Sequence, residues 1–472
     1  MKTKKKDVIL ERLELFKTGG PYRSWEKTSL KSLIYKTVSQ ITDLKLRKNT
    51  GRITFSEAKL SYEKGEFTDG SIGDIFKTLW ETNWFHFTMP ISKIKKMGLA
   101  EDSELHFLWD SSSEAMLYSA KGVPLQGFNG DKDVSYRNAY IIPSSATEDE
   151  EYYIEMANCG KQGNFVNGDM ARGIDYDREF ILRQCEISEF KREAWELLLD
   201  FTIISDSARL LHTRGEEAMS IGLRMIKQCN LDDPDSFAPC KAIGREFLSV
   251  ENGGGQCEVY GIGHCHIDVG WLWPFQESRR KAARSWSSQI QLMKQYPKYK
   301  FTASQSVLYE WVQNDYPILF DQIKQYAASG QFLPTGGTYV EFDGNLPSGE
   351  SIARQFLYGQ TYFKNNFQTY CDIFFLPDTF GYNGNLPQIA KLAGITNFFS
   401  QKLNWNYFNK PPHSTFFWKG IDGSEMLSHF PPADNYGTFG EVEEVLKSQT
   451  NFKDKGRSHS SLLLFGLGDG GI

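Results

Sequence analysis

The sequence predicts an α/β protein in which a seven-stranded parallel (β/α) barrel-like domain follows an all-β sandwich module and a short helical linker. Three observations lead there. Between 257 and 472, seven short apolar runs, at about 258–263, 299–304, 335–341, 372–376, 397–401, 424–430 and 461–466, alternate with helical patterns such as Ala283, Trp286, Ile290 and Met293. Such a βαβα series builds a parallel sheet, open or closed, and seven strands in this span fit a barrel slightly short of eight. Residues 1–185 instead carry aromatic-rich strands at 84–88, 105–109 and 152–156, separated by turn-prone Asn129-Gly130-Asp131 and Ser144-Ser145, the pattern of a β-sandwich. Its opening stretch, Leu10 to about Gln40, is more helical. Over 186–256, Phe190, Ala194, Leu197, Leu198 and Phe201, then Ala218, Ile221 and Met225, recur at helical spacing. Two helices therefore bridge the modules, and a looser segment from Asp232 to Gly255 follows them.

With 472 residues the chain exceeds one hydrophobic core. Its net charge of −6, with 24% charged and 40% hydrophobic residues, is that of an ordinary globular protein and gives no reason to expect a nucleic-acid partner. The aromatic share of 14% suits stacking on sugar faces as well as core filling. The cysteines at 159, 185, 229, 240, 257, 265 and 371 show no regular spacing and read as reduced thiols. MKTKKKDVILERLELF lacks the apolar core of a signal peptide, and no apolar run approaches the roughly 18 residues of a membrane span. The expectation is a cytoplasmic protein without membrane association, with a vacuole or lysosome reached by another route as the alternative. Assembly into a homo-oligomer is left open.

His264-Cys265-His266-Ile267-Asp268 leaves the end of the first strand of the second module. In an extended segment His264, His266 and Asp268 share a face, which reads as half a metal site or as a polar strand end with a buried histidine. Similar groups follow the other strands: Gln305, Glu341 and Asp343, Asp378, Gln401 and Asn404, Asp434-Asn435-Tyr436, and Asp469. Functional groups gather at the carboxyl ends of strands in such folds, so one shared pocket is the economical explanation.

The segments GHCHIDVGWLWPF (263–275), GGTYVEFDGNLPSGES (336–351), FFLPDTFGYNGNLPQI (374–389), HFPPADNYG (429–437) and LLLFGLGDGG (462–471) resemble the α-mannosidases of glycoside hydrolase family 38, most closely the cytosolic and vacuolar branch. The resemblance implies hydrolysis of terminal α-mannosides of oligosaccharides with retained configuration and one divalent metal, usually zinc, with cobalt also suited. It implies Asp378 as nucleophile and metal ligand, His266 and Asp268 as further ligands, and Asp469 as acid/base. Trp271, Asp343, Gln305, Asn435 and Tyr436 would contact substrate, with Trp273 and Gln401 as further candidates and His264 more structural. Beside these stand plainer readings: Asp378 capping a turn, the GDGG string forming one, and His413, His429 and His459 as ordinary histidines.

Members of the family continue past the GDGG segment, and a fourth ligand histidine of the family lies beyond this point. The chain is accordingly expected to stop within or just after the catalytic barrel. Three readings follow: a shortened product, inactive or barely stable alone; a piece of an active enzyme; or an inactive remnant that binds carbohydrate or regulates. A metal-dependent deacetylase would not explain the PDTFG and NLPSGES segments, and a lectin-like module would not need Asp378 and Asp469.

Overall fold

The computed structural model describes residues 2–23, 25, 27–99, 103–130, 136–159, 172–250 and 257–467. Among the described residues the first module has, beside a two-stranded sheet of Phe180–Ile181 against Ile75–Phe76, two large antiparallel sheets. Tyr35–Gln40, Gln184–Phe190, Glu104–Asp110 and Ala139–Ile141 form one, in that spatial order. Thr68–Asp69, Lys45–Arg47, Thr82–Met89, Glu150–Ala157, Glu114–Ser119 and Pro124–Asn129 form the other. Alternation along Thr82–Met89 sends Phe85 and Phe87 toward the partner sheet. There Phe85 meets Trp109 edge-on and Phe87 stacks on Phe107, both with ring centroids 4.9 Å apart. The predicted runs at 84–88, 105–109 and 152–156 all lie inside observed strands.

The helical start is shorter than expected. A helix spans Lys2–Thr18, then Gly19 and Gly20 take φ of 82° and 50°, and Tyr35–Gln40 is already a sheet strand. Three helices rather than two follow the sandwich: Arg192–Leu210, Gly215–Gln228 and Phe237–Leu248. They pack with the first helix around Leu13, Leu197, Phe201, Ile204, Met225 and Phe247. The third lies in the segment read as loose, because Pro239 in its first turn and Gly244 in its middle weaken the helical signal.

The second module contains seven parallel strands divided between two sheets. Phe332–Pro334, Phe301–Ala303, Glu258–His264 and Ser460–Phe465 form one sheet. Ile373–Phe375, Asn397–Phe399 and Glu425–His429 form the other, edged by the antiparallel strand Thr415–Lys419. Among the described residues no ladder closes these sheets into one ring, and the isolated Thr438–Phe465 bridge spans one junction. Phe375, Phe399 and Leu464 pack across it. Six expected strands overlap observed ones; the third does not. The run 335–341 is loop, and the strand is Phe332–Pro334. Gly336 and Gly337 take φ of 92° and 68°, which turns the chain out of the sheet before the strand-like residues begin.

The outer face of the six-stranded sheet is buried as well. Trp84, Met116, Tyr118 and Tyr153 belong to the same core as Trp286 and Ile290 of the helix Phe275–Gln295. That helix turns a charged face inward. Glu277, Arg280, Lys281 and Arg284 are no more than 6% exposed, as are Glu114 and Glu155 on the sheet. Lys281 Nζ lies 2.5 Å from Glu114 Oε1, Arg284 2.7 Å from Glu114 Oε2, and Arg280 2.8 Å from Glu155. Arg284 also pairs with Glu277. Three cations therefore face three carboxylates away from water. Burial pushes the Glu277 carboxyl upward, but Arg284, Arg280 and Lys281 outweigh it and hold it at about 2.

Removing one member of a buried ion pair strands its partner, at a cost of about 3–5 kcal/mol. Glu114→Gln is therefore expected to lower stability by about that much in urea unfolding, and a loss below about 1 kcal/mol would contradict the network. The Glu277 carboxyl titrates below its ordinary 4.5, so its contribution is complete above pH 4.5 and lost as the pH falls toward 2. Circular dichroism across that window should show a smaller acid-dependent loss in Glu277→Gln than in the parent.

Candidate active site

Where the strand Glu258–His264 ends, the chain continues extended and brings His266 to the carboxyl end of the sheet. The imidazole is 3% exposed. Its Nδ1 lies 2.8 Å from Glu341 Oε2, while Nε2 lies 3.3 Å from Asp268 Oδ1 and 3.6 Å from Asp378 Oδ2. Carboxylate oxygens thus stand at both ring nitrogens, Glu341 beside Nδ1 and Asp268 and Asp378 beside Nε2, and of these the Asp268 contact has hydrogen-bond geometry. One ligand atom from each of His266, Asp268 and Asp378 fits within a 4.8 Å span. The other Glu341 oxygen accepts from Ser304 Oγ. Asp378 divides its oxygens: Oδ2 faces the imidazole, and Oδ1 pairs with the Lys402 ammonium. That ammonium lies 4.0 Å from the centroid of the Trp405 ring, a cation–π contact that steadies it.

The loops carrying these groups are tied by buried polar side chains. Ser278, in the first turn of the helix Phe275–Gln295, donates to the Asp268 carbonyl at 2.7 Å. It accepts from Gly270 N–H at 3.0 Å and from Trp273 Nε1 at 2.8 Å. Gln305 takes φ of 66°, donates to the Ile267 carbonyl at 2.8 Å and accepts from Glu341 N–H at 3.0 Å. It therefore sets both sides of the His266–Glu341 pair. The Asp343 carboxylate accepts from Asn345 N–H at 2.8 Å and lies against Gly381, where a Cβ would come within 2.4 Å of Oδ1. Gly344 N–H and the Gly381 carbonyl close the same contact at 2.9 Å. Only glycine at 381 lets the Asp343 and Asp378 loops approach this closely.

Residues 256–472 match the model of the glycosyl hydrolases family 38 N-terminal domain, and residues 39–188 match that of the α-mannosidase jelly roll domain. The chain belongs to glycosyl hydrolase family 38. It is 41% identical to α-mannosidase G of Dictyostelium discoideum over 99% of its own length and 42% of that protein. Against α-mannosidase 2C1 of Homo sapiens it is 40% identical over 88% of the chain and 40% of the relative. The α-mannosidase of Saccharomyces cerevisiae is 38% identical over 86% of the chain and 38% of that protein. The chain thus spans about 40% of the length of these curated relatives.

In this family 38 chain the structure brings His266, Asp268 and Asp378 together. Tyr436 adds a ring 5.4 Å from the His266 imidazole, and Trp405 stacks on Tyr436 at 6.3 Å. Trp271 is 43% exposed and meets the buried Trp273 edge-on at 5.3 Å. Asn435 accepts from Gly437 N–H at 3.0 Å, which shapes the loop before Tyr436. Gln305 is 2% exposed with its amide engaged by backbone. Gln401 is fully buried, and neither side-chain atom has a partner among the described residues. Asp469 lies outside the described residues. His264 stays out of the cluster; burial and His266 push it down to about 3, and Nδ1 sits 3.2 Å from the Thr302 carbonyl. His413 lies 2.9 Å from Asp454 Oδ1, and burial pushes His429 down to about 4.

Sequence reasoning missed two members of the site, Lys402 and Ser278, and gave Glu341 no role of its own. Glu341 stood in the series of strand-end carboxylates, but nothing in one dimension marks it as the partner of His266. A second group within ligand distance, Glu114, Cys159 and Glu277, lies at the module junction. There Lys281 and Arg284 already neutralise the carboxylates, and burial pushes the Cys159 thiol far up. That leaves no uncompensated charge for a cation.

A carboxylate behind a ligating histidine typically changes metal affinity by ten- to a hundredfold. Glu341→Gln should accordingly weaken the uptake of any divalent ion at His266, Asp268 and Asp378 by about that factor in a competition titration with a chromogenic chelator. Unchanged affinity would mean that Glu341 only fills space.

Proposed function

We propose that the strand-end site is the catalytic centre of a metal-dependent retaining α-mannosidase that removes terminal α-mannosyl residues from oligosaccharides. The observation that carries this reading is the convergence of His266 Nε2, Asp268 and Asp378 with Glu341 on the far side of the imidazole, in a chain 38–41% identical to proteins named α-mannosidase. Formal charges support the fit. Asp268, Asp378 and Glu341 against Lys402 leave two net negative charges, which a divalent cation would balance. One imidazole nitrogen with carboxylate oxygens suits zinc, and cobalt after it.

His266, Asp268 and Asp378 would hold the ion, which when bound supplies a Lewis-acid charge to the vicinal hydroxyls of mannose and favours its axial 2-OH. The chain's own groups carry the proton and bond changes. Asp378 attacks the anomeric carbon, with Lys402 orienting its other oxygen, and forms a glycosyl ester as the bond to the departing oxygen breaks. Asp469, in the Gly468-Asp469-Gly470 segment that resembles the family's, donates the proton that the departing oxygen takes. A water then gives its proton to Asp469 and attacks the same carbon, releasing Asp378 and mannose with two inversions and net retention. Trp271 and Tyr436 offer faces for the sugar, while Asp343, Asn435 and Gln305 shape the loops around it. Five of the seven cysteines are buried and all seven are free thiols, a state kept in reducing compartments; it supports free cytosolic oligomannose as the substrate pool.

Release of 4-nitrophenol from its α-mannoside tests the reading. Activity should vanish with a chelator and return with zinc, Asp378→Asn should lower kcat by roughly a thousandfold or more, and the first-formed sugar should be α-mannose by NMR. Turnover indifferent to Asp378→Asn would remove the nucleophile assignment, and turnover indifferent to the chelator would remove the metal.

A further inference from the structure

Cys240 belongs to the core of the helical layer between the modules, and Cys229 packs against that core. Cys229 caps the carboxyl end of the helix Gly215–Gln228, and Cys240 lies in the first turn of Phe237–Leu248. The chain between them is folded back on itself by its own polar groups. Ser236 Oγ accepts from Asn230 N–H at 2.9 Å and donates to the Asp233 carbonyl at 2.7 Å. Asp232 N–H binds the Asn230 side chain at 3.1 Å, and Asp235 N–H binds that of Asp233 at 3.2 Å. These bonds return the chain so that the end of one helix faces the start of the next.

The two cysteines meet at one backbone oxygen. The Met225 carbonyl accepts Cys229 N–H at 2.9 Å, and Cys240 Sγ lies 3.5 Å from it. The Cys240 thiol also hydrogen-bonds to the Cys229 sulfur. Close helix packing fixes the pair: a Cβ on Gly244 would come within 3.2 Å of both Ile204 Cδ1 and Met225 Cε, one on each neighbouring helix. The two thiols are unlike, Cys229 being half-buried and Cys240 buried. The bond from Cys240 draws the Cys229 thiol below its usual range, against the effect of burial and with help from Ser236. It pushes Cys240 upward, and burial adds to that. The thiolate is the attacking form, so the thiol that solvent reaches is also the one that ionises first.

We propose that Cys229 and Cys240 are a modification site, at which glutathione disulfide converts the two thiols to a reversible disulfide that ties the second helix of this layer to the third. The Cys229 thiolate attacks one sulfur of glutathione disulfide, whose S–S bond breaks. One glutathione leaves and takes up the proton that Cys229 gave, while Cys229 carries the other. Cys240 then attacks Cys229 Sγ, the mixed disulfide breaks, and the second glutathione leaves with the Cys240 proton. Two protein thiols are oxidised, and one glutathione disulfide is reduced to two thiols. The new bond closes the loop around Ser236 and restricts the unfolded chain there.

A single tryptic peptide tests this, because Lys227 and Lys241 flank both cysteines with no Lys or Arg between them. The whole folded chain is incubated with excess oxidised glutathione, alkylated in denaturant, digested and weighed. Peptide 228–241 should lose two hydrogens and both alkylation sites, and dithiothreitol before alkylation should restore both. Cys240→Ser should instead leave glutathione on Cys229, whereas Cys229→Ser should leave Cys240 as an alkylated thiol. Full alkylation of both cysteines after oxidation, glutathione stalled on Cys229 in the parent chain, or a disulfide that forms only in urea would overturn the proposal.

Discussion

Six buried charges, Glu114, Glu155 and Glu277 against Arg280, Lys281 and Arg284, join the sandwich to the helix on which the candidate site rests. Taking charges out of water is expensive unless each finds a partner in good geometry. The arrangement therefore tolerates one docking of helix on sheet, because a slip along either element would leave carboxylates or guanidinium groups unpaired. The long helix begins directly after the loop that carries Asp268, and Ser278 lies one residue beyond Glu277 of the network. Its hydroxyl grips the Asp268 carbonyl, Gly270 N–H and the Trp273 indole together. In this way a sheet of the N-terminal module sets the position of a loop at the carboxyl end of a strand in the second. The jelly roll acts as part of the foundation of the site rather than as an appended domain.

Two acidic clusters among the described residues show how surroundings decide what carboxylates do. At the module junction they are matched one for one by buried cations, and the product is rigidity. At the strand ends, among the described residues, only Lys402 opposes Asp268, Asp378 and Glu341, and these carboxylates surround the His266 imidazole. Glu341 places a carboxylate oxygen 2.8 Å from the ring Nδ1, and Gln305 holds the Glu341 backbone. The same side-chain types serve as mortar in one place and, in the proposed reading, as a ligand set in the other.

The layered plan was legible in the sequence because it depends on periodicity. Alternating aromatics at 84–88 and 105–109 gave the sandwich, and six apolar runs in the second module fell on parallel strands. The third run failed for a local reason: Thr338 to Phe342 alternate like a strand, but two left-handed glycines, Gly336 and Gly337, turn the chain out of the sheet before them. Strand-end position singled out His266, Asp268 and Asp378 because short-range spacing and motif order both mark them. The network was invisible for the opposite reason. Glu277, Arg280, Lys281 and Arg284 repeat at helical spacing like a solvated face, and only the sheet lying on them turns that face into an interior. Lys402 and Glu341 likewise acquire meaning from groups 24 and 75 residues away in the chain, at Asp378 and His266.

A zinc-soaked crystal, measured on both sides of the zinc absorption edge, tests the central assignment most directly. The expected result is one anomalous peak within bonding distance of His266 Nε2, Asp268 and Asp378, with Glu341 still on Nδ1. A peak among Glu114, Cys159 and Glu277, or none at the strand ends at saturating zinc, would contradict it.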